Sequence, residues 1–286
     1  MPSLAEIQIE LAGLCNATCS YCTWRQRTIG RQLMDGDLAL SVLAQAKAMG
    51  VARVYYHGLG ESLLHHRLLE IVARGEALDF FHLLSTNCFN LQGSLAAGLR
   101  EFANLEVVLS MHWVLQKKFL ARCIANAKAY LASAPLNRKI YVQMVCHVDA
   151  REHFQEFYET FLPIVERTEN AVLWLKQPQT WPLAAPQVGF VPDVSHPKVE
   201  VDRSVTPYSL AYGCNMPLRF LMVMADGNCS PCCVGTVSWG LGKLPEQTLA
   251  DVWESARMAQ IRGLWATADD AILCGPCKKR TDCRTA

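Results

Sequence analysis

The 286-residue sequence has no apolar run approaching the roughly 18 residues that span a bilayer, which argues against a helical membrane protein. Its first residues, MPSLAEIQIELAGLC, lack a basic stretch followed by an apolar core of signal length, so no secretory signal is read there. Charge of one sign is missing too: 27 Lys and Arg stand against 26 Asp and Glu, a formal net charge of +1, and the basic residues are scattered. No basic stripe is available to follow a phosphate backbone, so neither nucleic acid nor a membrane is an expected partner. Internal repeats and low-complexity tracts are absent. The chain is expected in the cytoplasm.

Cysteine, in contrast, is plentiful. With 51% hydrophobic residues the chain can bury a substantial core without disulfide staples, so its 13 cysteines need another explanation. In a reducing compartment, clustered thiols favour metal binding or redox chemistry.

Residues 6–175 alternate short β-branched or aromatic runs with helical patterns, as repeated βα units around a parallel sheet do. Strands are expected at 6–11, 51–56, 79–85, 105–110, 139–146 and 171–176. One helix face carries Leu38, Val42, Ala46 and Met49; another carries Leu115, Phe119, Cys123, Ala127 and Tyr130, which makes Cys123 a core residue. Six units are too few for the eight-fold closed barrel, so the fold class is α/β, a partial (β/α)6 TIM-like barrel with function at the C-terminal strand ends. Residues 177–213 are rich in proline (Pro178, Pro182, Pro186, Pro192, Pro197, Pro207) and read as a connecting segment. Beyond it, 220–224 reads as a strand, Asp226-Gly227 as its hairpin turn and 249–264 as one amphipathic helix. The expected division is 1–176 barrel, 177–213 connection and 214–286 cysteine-rich extension.

Cys15, Cys19 and Cys22 form CxxxCxxC directly after the first strand. A structural zinc site closes with four ligands, whereas three thiolates leave a position open, as an iron-sulfur cubane with one free iron does. The segment CNATCSYC, with Tyr21 before the last cysteine, resembles the motif of the radical S-adenosylmethionine (radical SAM) superfamily. That resemblance implies a catalytic [4Fe-4S] cluster on Cys15, Cys19 and Cys22, S-adenosylmethionine (AdoMet) on the open iron, and Tyr21 beside the adenine. Gly58-Leu59-Gly60-Glu61-Ser62 resembles the family's GGEP motif, departing from it at Leu59 and Ser62. It implies that Gly58, Gly60 and Glu61 hold the methionine ammonium. The alternative is a tight turn with Glu61 at a helix start. Ser85-Thr86-Asn87 resembles the family's TNG segment, with Cys88 replacing the glycine, and implies cofactor contacts from Ser85 and Asn87; Ser110 matches a further cofactor position. For these a polar cap on the following turn is the alternative. Cys88 and Cys146 read as packing residues.

Cys214, Cys229, Cys232, Cys233, Cys274, Cys277 and Cys283 crowd the last quarter of the chain. The run MVMADGNCSPCC, the later LGKLPEQTLADVWES and the final CGPC resemble the SPASM or twitch extension that follows many radical SAM barrels. The resemblance implies Cys214, Cys232, Cys274 and Cys277 as ligands of an auxiliary [4Fe-4S] cluster, with Cys229, Cys233 and Cys283 as alternatives. Because the sequence ends three residues after Cys283, one auxiliary cluster is expected, as in the short extension of the butirosin-pathway deoxy-scyllo-inosamine dehydrogenase and its relatives. A zinc ribbon is the competing structure. Lys278, Lys279 and Arg280 beside these ligands would raise the potential of an anionic cluster or form a solvated basic tail.

The expected function is a radical SAM oxidoreductase that oxidises or epimerises a small polar metabolite of sugar or aminocyclitol type, fed by an external donor such as flavodoxin or ferredoxin. Maturation of a ribosomally made peptide is the second reading; against it, the barrel begins near Met1, with no preceding peptide-recognition domain. A non-catalytic zinc or electron-carrier protein is the third. Lys176 at the end of the sixth strand, Gln143 in the fifth, and His112 and Trp113 after the fourth are candidates for substrate contact, Lys176 foremost.

Overall fold

The computed structural model describes residues 2–22, 24, 27, 29–177, 189–201, 216–232 and 240–267. The six expected barrel strands are β1 (Glu6–Ile9), β2 (Arg53–Tyr56), β3 (Phe81–Thr86), β4 (Leu105–Met111), β5 (Lys139–Val145) and β6 (Ala171–Lys176). Between successive strands run α1 (Gly36–Ala48), α2 (Leu68–Ala77), α3 (Gly93–Arg100), α4 (Lys117–Ala132) and α5 (Phe154–Val165). Each strand pairs in parallel with the next, which needs the crossover helices to return the chain to the same end of the sheet. The loops after the strands therefore gather at one rim.

Three further strands enlarge this sheet. Among the described residues β6 is followed not by a sixth helix but by β7 (Val199–Val201), which pairs in parallel with β6 inside the stretch read as connection. Three residues are too few to show alternation, so this strand leaves no periodic signal. After a short helix, α6 (Met216–Arg219), strand β8 (Phe220–Val223) joins the opposite edge in parallel with β1, and β9 (Cys229–Ser230) returns antiparallel to it through the Asp226-Gly227 turn, where Gly227 has φ +84°. Among the described residues the order is β7-β6-β5-β4-β3-β2-β1-β8-β9, a mostly parallel sheet of nine strands whose end strands β7 and β9 do not pair with each other.

The single helix expected over 249–264 is in fact two, α7 (Leu249–Trp253) and α8 (Ala256–Thr267). Thr248 and Asp251 form a capping box that starts α7, and Ser255 Oγ accepts from Met258 N at 3.1 Å to cap a new start. Apolar periodicity runs through this break, but the serine resets the backbone.

Alternation along the strands sorts residues between two faces. Ile7, Ile9, Val54, Tyr56, Leu84, Val142, Met144, Leu173 and Leu175 are buried in the main core with helical residues such as Val42, Ile71, Cys123, Ala127 and Phe157. Cys88, Cys123 and Cys146 are packed in this core as the sequence suggested. The opposite, concave face carries Gln8, Tyr55, Ser85, Ser110, Gln143, Trp174 and Lys176, brought side by side by the parallel register. Near β8 it is lined by a small cluster of Phe220, Met222 and Met224 against Tyr55 and Ile29.

Candidate cofactor and cluster site

Cys15, Cys19 and Cys22 lie half-buried in the loop after β1. Ala17 N points to Cys15 Sγ at 3.4 Å and Trp24 N to Cys22 Sγ at 3.5 Å, contacts that favour a thiolate. Burial works the other way, pushing Cys15 up to about 11 and raising Cys19 and Cys22, and the motif's own cysteines add to the rise at Cys15 and Cys19. Three thiolates sharing such a pocket repel one another and suit a cationic centre, so the donor set fits a thiolate-bound cluster. Among the described residues no three His, Cys, Asp or Glu side chains are arranged to hold one metal ion; the loop gathers the sulfurs without drawing them to a common point.

The GLGES turn after β2 packs directly onto this loop. A Cβ on Gly60 would stand 1.9 Å from the Ala12 carbonyl oxygen and 2.6 Å from that of Leu14, so only glycine permits the approach. Glu61 N donates to Leu14 O at 2.8 Å. The Glu61 carboxylate is buried; Oε1 accepts from Thr86 Oγ1 at 2.8 Å and Leu63 N at 3.0 Å, and Oε2 from Asn87 N at 2.7 Å. Desolvation raises its pKa while these donors oppose the rise. Glu61 thus caps the short 3-10 turn Ser62–Leu64, as the turn reading expected, and also reaches across to the end of β3. Asn87 continues the chain of contacts: its Nδ2 donates to Asn16 Oδ1 at 2.8 Å and lies 4.0 Å from Cys15 Sγ.

Ser110 Oγ donates to Gln143 Oε1 at 2.8 Å on the concave face, beside the strand that carries Ser85. Cys88, where the resemblance has a glycine, sits at φ +66°, the left-handed region that glycine adopts most readily. Tyr21 packs its ring 5.3 Å from that of His147 and places its hydroxyl 2.5 Å from His112 Nδ1. Burial raises the Tyr21 phenol and lowers His112 to about 4, so near neutral pH the phenol donates and a neutral imidazole accepts. Ser20 Oγ, donating to Asp149 Oδ2 at 3.1 Å, ties the same loop to the segment after β5.

Lys176 ends β6 on the concave face with its ammonium 5.1 Å from the centre of the Trp174 ring. His57, at the end of β2, was not singled out from the sequence; burial, then the charge of Lys176, depresses it to about 4. Glu10 and Arg27 were missed as well. Their signal was an acidic residue ending an apolar buried strand, IQIE, which demands a buried partner.

In the C-terminal segment Cys229 is buried in β9, and Cys232 follows with its backbone held by Ser230, whose Oγ donates to Cys232 O at 2.9 Å. Cys214, Cys274 and Cys277, with Cys233 and Cys283, lie outside the described residues, as do Lys278, Lys279 and Arg280 and the Pro178, Pro182, Pro186 and Pro207 positions.

Comparison with known proteins meets this geometry from two sides. Residues 214–284 match the SPASM family, an iron-sulfur cluster-binding domain. The fold is that of Streptococcus suis SuiB bound to S-adenosylmethionine (TM-score 0.70, 17% identity, 97% of this chain and 72% of that one). It is similar also to anSMEcpe with bound AdoMet and a Cp18Cys peptide (TM-score 0.62, 15% identity, 95% and 88%) and to BtrN in complex with AdoMet and 2-DOIA (TM-score 0.56, 18% identity, 96% and 93%). No curated protein matches the chain by sequence. The barrel shares its fold with these structures, and the match over 214–284 agrees with the SPASM resemblance drawn from the C-terminal cysteines. Among the described residues, no helix is long and apolar enough to cross a membrane.

Proposed function

We propose that the chain is a radical SAM enzyme that holds AdoMet at the rim formed by the loops after β1, β2 and β3 and presents a substrate C–H bond to it from the concave face. The carrying observation is the run of contacts from Leu14 through Glu61 to Asn87 and back to Asn16 and Cys15, which brings three separately recognised motifs into one site. AdoMet held there beside a reduced cluster would supply radical chemistry able to remove a hydrogen atom from the substrate. Cys15, Cys19 and Cys22 ligate the cluster, and Tyr21, fixed by His112, flanks the adenine. Glu61 uses three of about four carboxylate acceptor sites internally, and the one left suits an ammonium. Gly58 and Gly60 let the turn close onto Glu10 and the Ala12 and Leu14 carbonyls, so that its backbone would face the methionine ammonium, with Ser85, Asn87 and Ser110 lining the cofactor.

Glu61→Gln is expected to weaken AdoMet binding by about 1.5–3 kcal/mol, the range for a hydrogen bond involving charge, with iron content retained. Titration calorimetry on the anaerobically reconstituted protein checks it; unchanged affinity would leave Glu61 as a cap on the turn alone.

The C-terminal region, 214–286, is proposed to carry an auxiliary cluster on Cys214, Cys232, Cys274 and Cys277, joined to the barrel of 1–176 by 177–213. For the substrate we favour a small polar metabolite, either oxidised, the substrate radical losing a proton and passing its electron to the auxiliary cluster, or epimerised, the radical regaining a hydrogen atom with no net electron transfer to that cluster; an external flavodoxin or ferredoxin is the donor. The supporting observation is the polar concave face, where Gln143, its Oε1 held by Ser110, stands with His57 and Lys176 to offer hydrogen bonds and charge. A peptide is the second reading, favoured by the similar structures of SuiB with precursor peptide SuiA and of anSMEcpe with its peptide. Anaerobic turnover with deuterated sugars or aminocyclitols and with deuterated peptides distinguishes them: deuterium should enter 5'-deoxyadenosine from the former, and enrichment from a peptide alone would reverse the assignment.

A further inference from the structure

Glu10, the residue after β1, is fully buried, and Arg27, 1% exposed, lies against it. The guanidinium grips the carboxylate with two bonds, Nη1 to Oε1 at 2.6 Å and Nη2 to Oε2 at 2.5 Å, while Arg27 Nε donates to Ile29 O at 2.5 Å. Leu59 N donates to Oε1 at 3.0 Å and Ala225 N to Oε2 at 3.3 Å. The surroundings are shaped to this pair: a Cβ on Gly58 would stand 2.2 Å from Glu10 Oε1, and one on Gly30 2.3 Å from Arg27 Nη2. A buried ion pair is a weak source of stability, because apolar residues of equal volume serve as well. Direction is what it adds, since the four bonds to the carboxylate, two from Arg27 and one each from Leu59 and Ala225, come from three separate parts of the chain.

Those donors belong to three functional segments. Arg27 follows Cys22 by five residues, Leu59 precedes Glu61 by two, and Ala225 precedes Cys229 by four, inside the region matched by the SPASM family. We propose that Glu10 is a positioning residue whose single carboxylate couples the cysteine loop, the Glu61 turn and the β8–β9 hairpin, so that the AdoMet site is set in register with the seating of the C-terminal domain. The inference rests on the AdoMet reading above, and it adds a contact by which changes at the hairpin reach the cofactor.

The test compares Glu10→Gln with the unsubstituted chain, both reconstituted anaerobically, by AdoMet affinity and by backbone deuterium exchange. Affinity should fall by about tenfold, because losing the carboxylate releases Leu59 N and with it the turn that carries Glu61, an indirect effect at the low end of what a charged hydrogen bond contributes. Exchange should quicken together in the peptides carrying Arg27, Leu59 and Ala225, while peptides from α5 and β6 stay unchanged. A pair that is merely structural would lower the melting temperature and speed exchange throughout, leaving the affinity of the folded protein within about twofold. That affinity, or faster exchange confined to the Arg27 peptide, would overturn the proposal. Should Glu10→Gln fail to fold, Arg27→Lys keeps both charges but loses the two-bond grip, and it is read by the same two measurements. An unsubstituted protein that binds no AdoMet would count against the function proposed above; the exchange pattern would still decide the coupling.

Discussion

Replacing Cys15, Cys19 and Cys22 together by Ala is expected to remove about half of the bound iron, from roughly eight atoms per chain to four, and to abolish AdoMet cleavage. The three thiols share one loop, where burial raises all of them, so each is costly as a lone thiolate and suited to a cationic centre. Removing one leaves two ligands that can still capture iron in a disordered way; removing three leaves none. The loop itself should persist, because Gly13 N donates to Gln32 O at 2.8 Å, Trp24 Nε1 to Gly13 O at 2.9 Å, and neither bond involves a cysteine. Iron analysis and quantification of 5'-deoxyadenosine check both halves of the expectation.

The second large effect separates the two clusters. Replacing Cys274 and Cys277 by Ala should leave uncoupled formation of 5'-deoxyadenosine measurable while product formation collapses. A cluster held by four cysteines is closed to AdoMet but can still accept an electron, whereas one held by three has an iron free. The extension also packs through Leu249, Val252 and Trp253, which are buried, and Trp253 Nε1 donates to Pro2 O at 3.1 Å, so part of it rests on the barrel independently of those cysteines. Circular dichroism provides the control for folding. Product formation at the native rate in the folded double variant would make the auxiliary cluster structural.

Much of the barrel was legible because parallel strands covered by helices are written as apolar runs alternating with 3.6-residue patterns, and β6 was placed to the residue. The strand ends drifted where polar residues continue the chain into the rim, as at Glu10 after β1. Position in the sheet was less legible than existence: β8 was foreseen as a strand of a hairpin, but nothing local in FLMV says that it lies beside β1, a neighbour more than two hundred residues away. Among candidate site residues, motif spacing singles out the three cysteines and Glu61, and the structure links Glu61 to Cys15 through Asn87. His57 and the Glu10–Arg27 pair carry no spacing signature. They emerge only once the register puts His57 on the concave face and burial leaves a carboxylate in need of a cation.

The central claim, that this chain cleaves AdoMet with a thiolate-bound cluster, is tested most directly by incubating the anaerobically reconstituted protein with AdoMet and a strong reductant and measuring 5'-deoxyadenosine and methionine. The account predicts that both form in equal amounts, depend on iron and vanish when Cys15, Cys19 and Cys22 are replaced by Ala. Protein that comes from iron-replete cells with stoichiometric zinc, without iron, and forms no 5'-deoxyadenosine after reconstitution would contradict it.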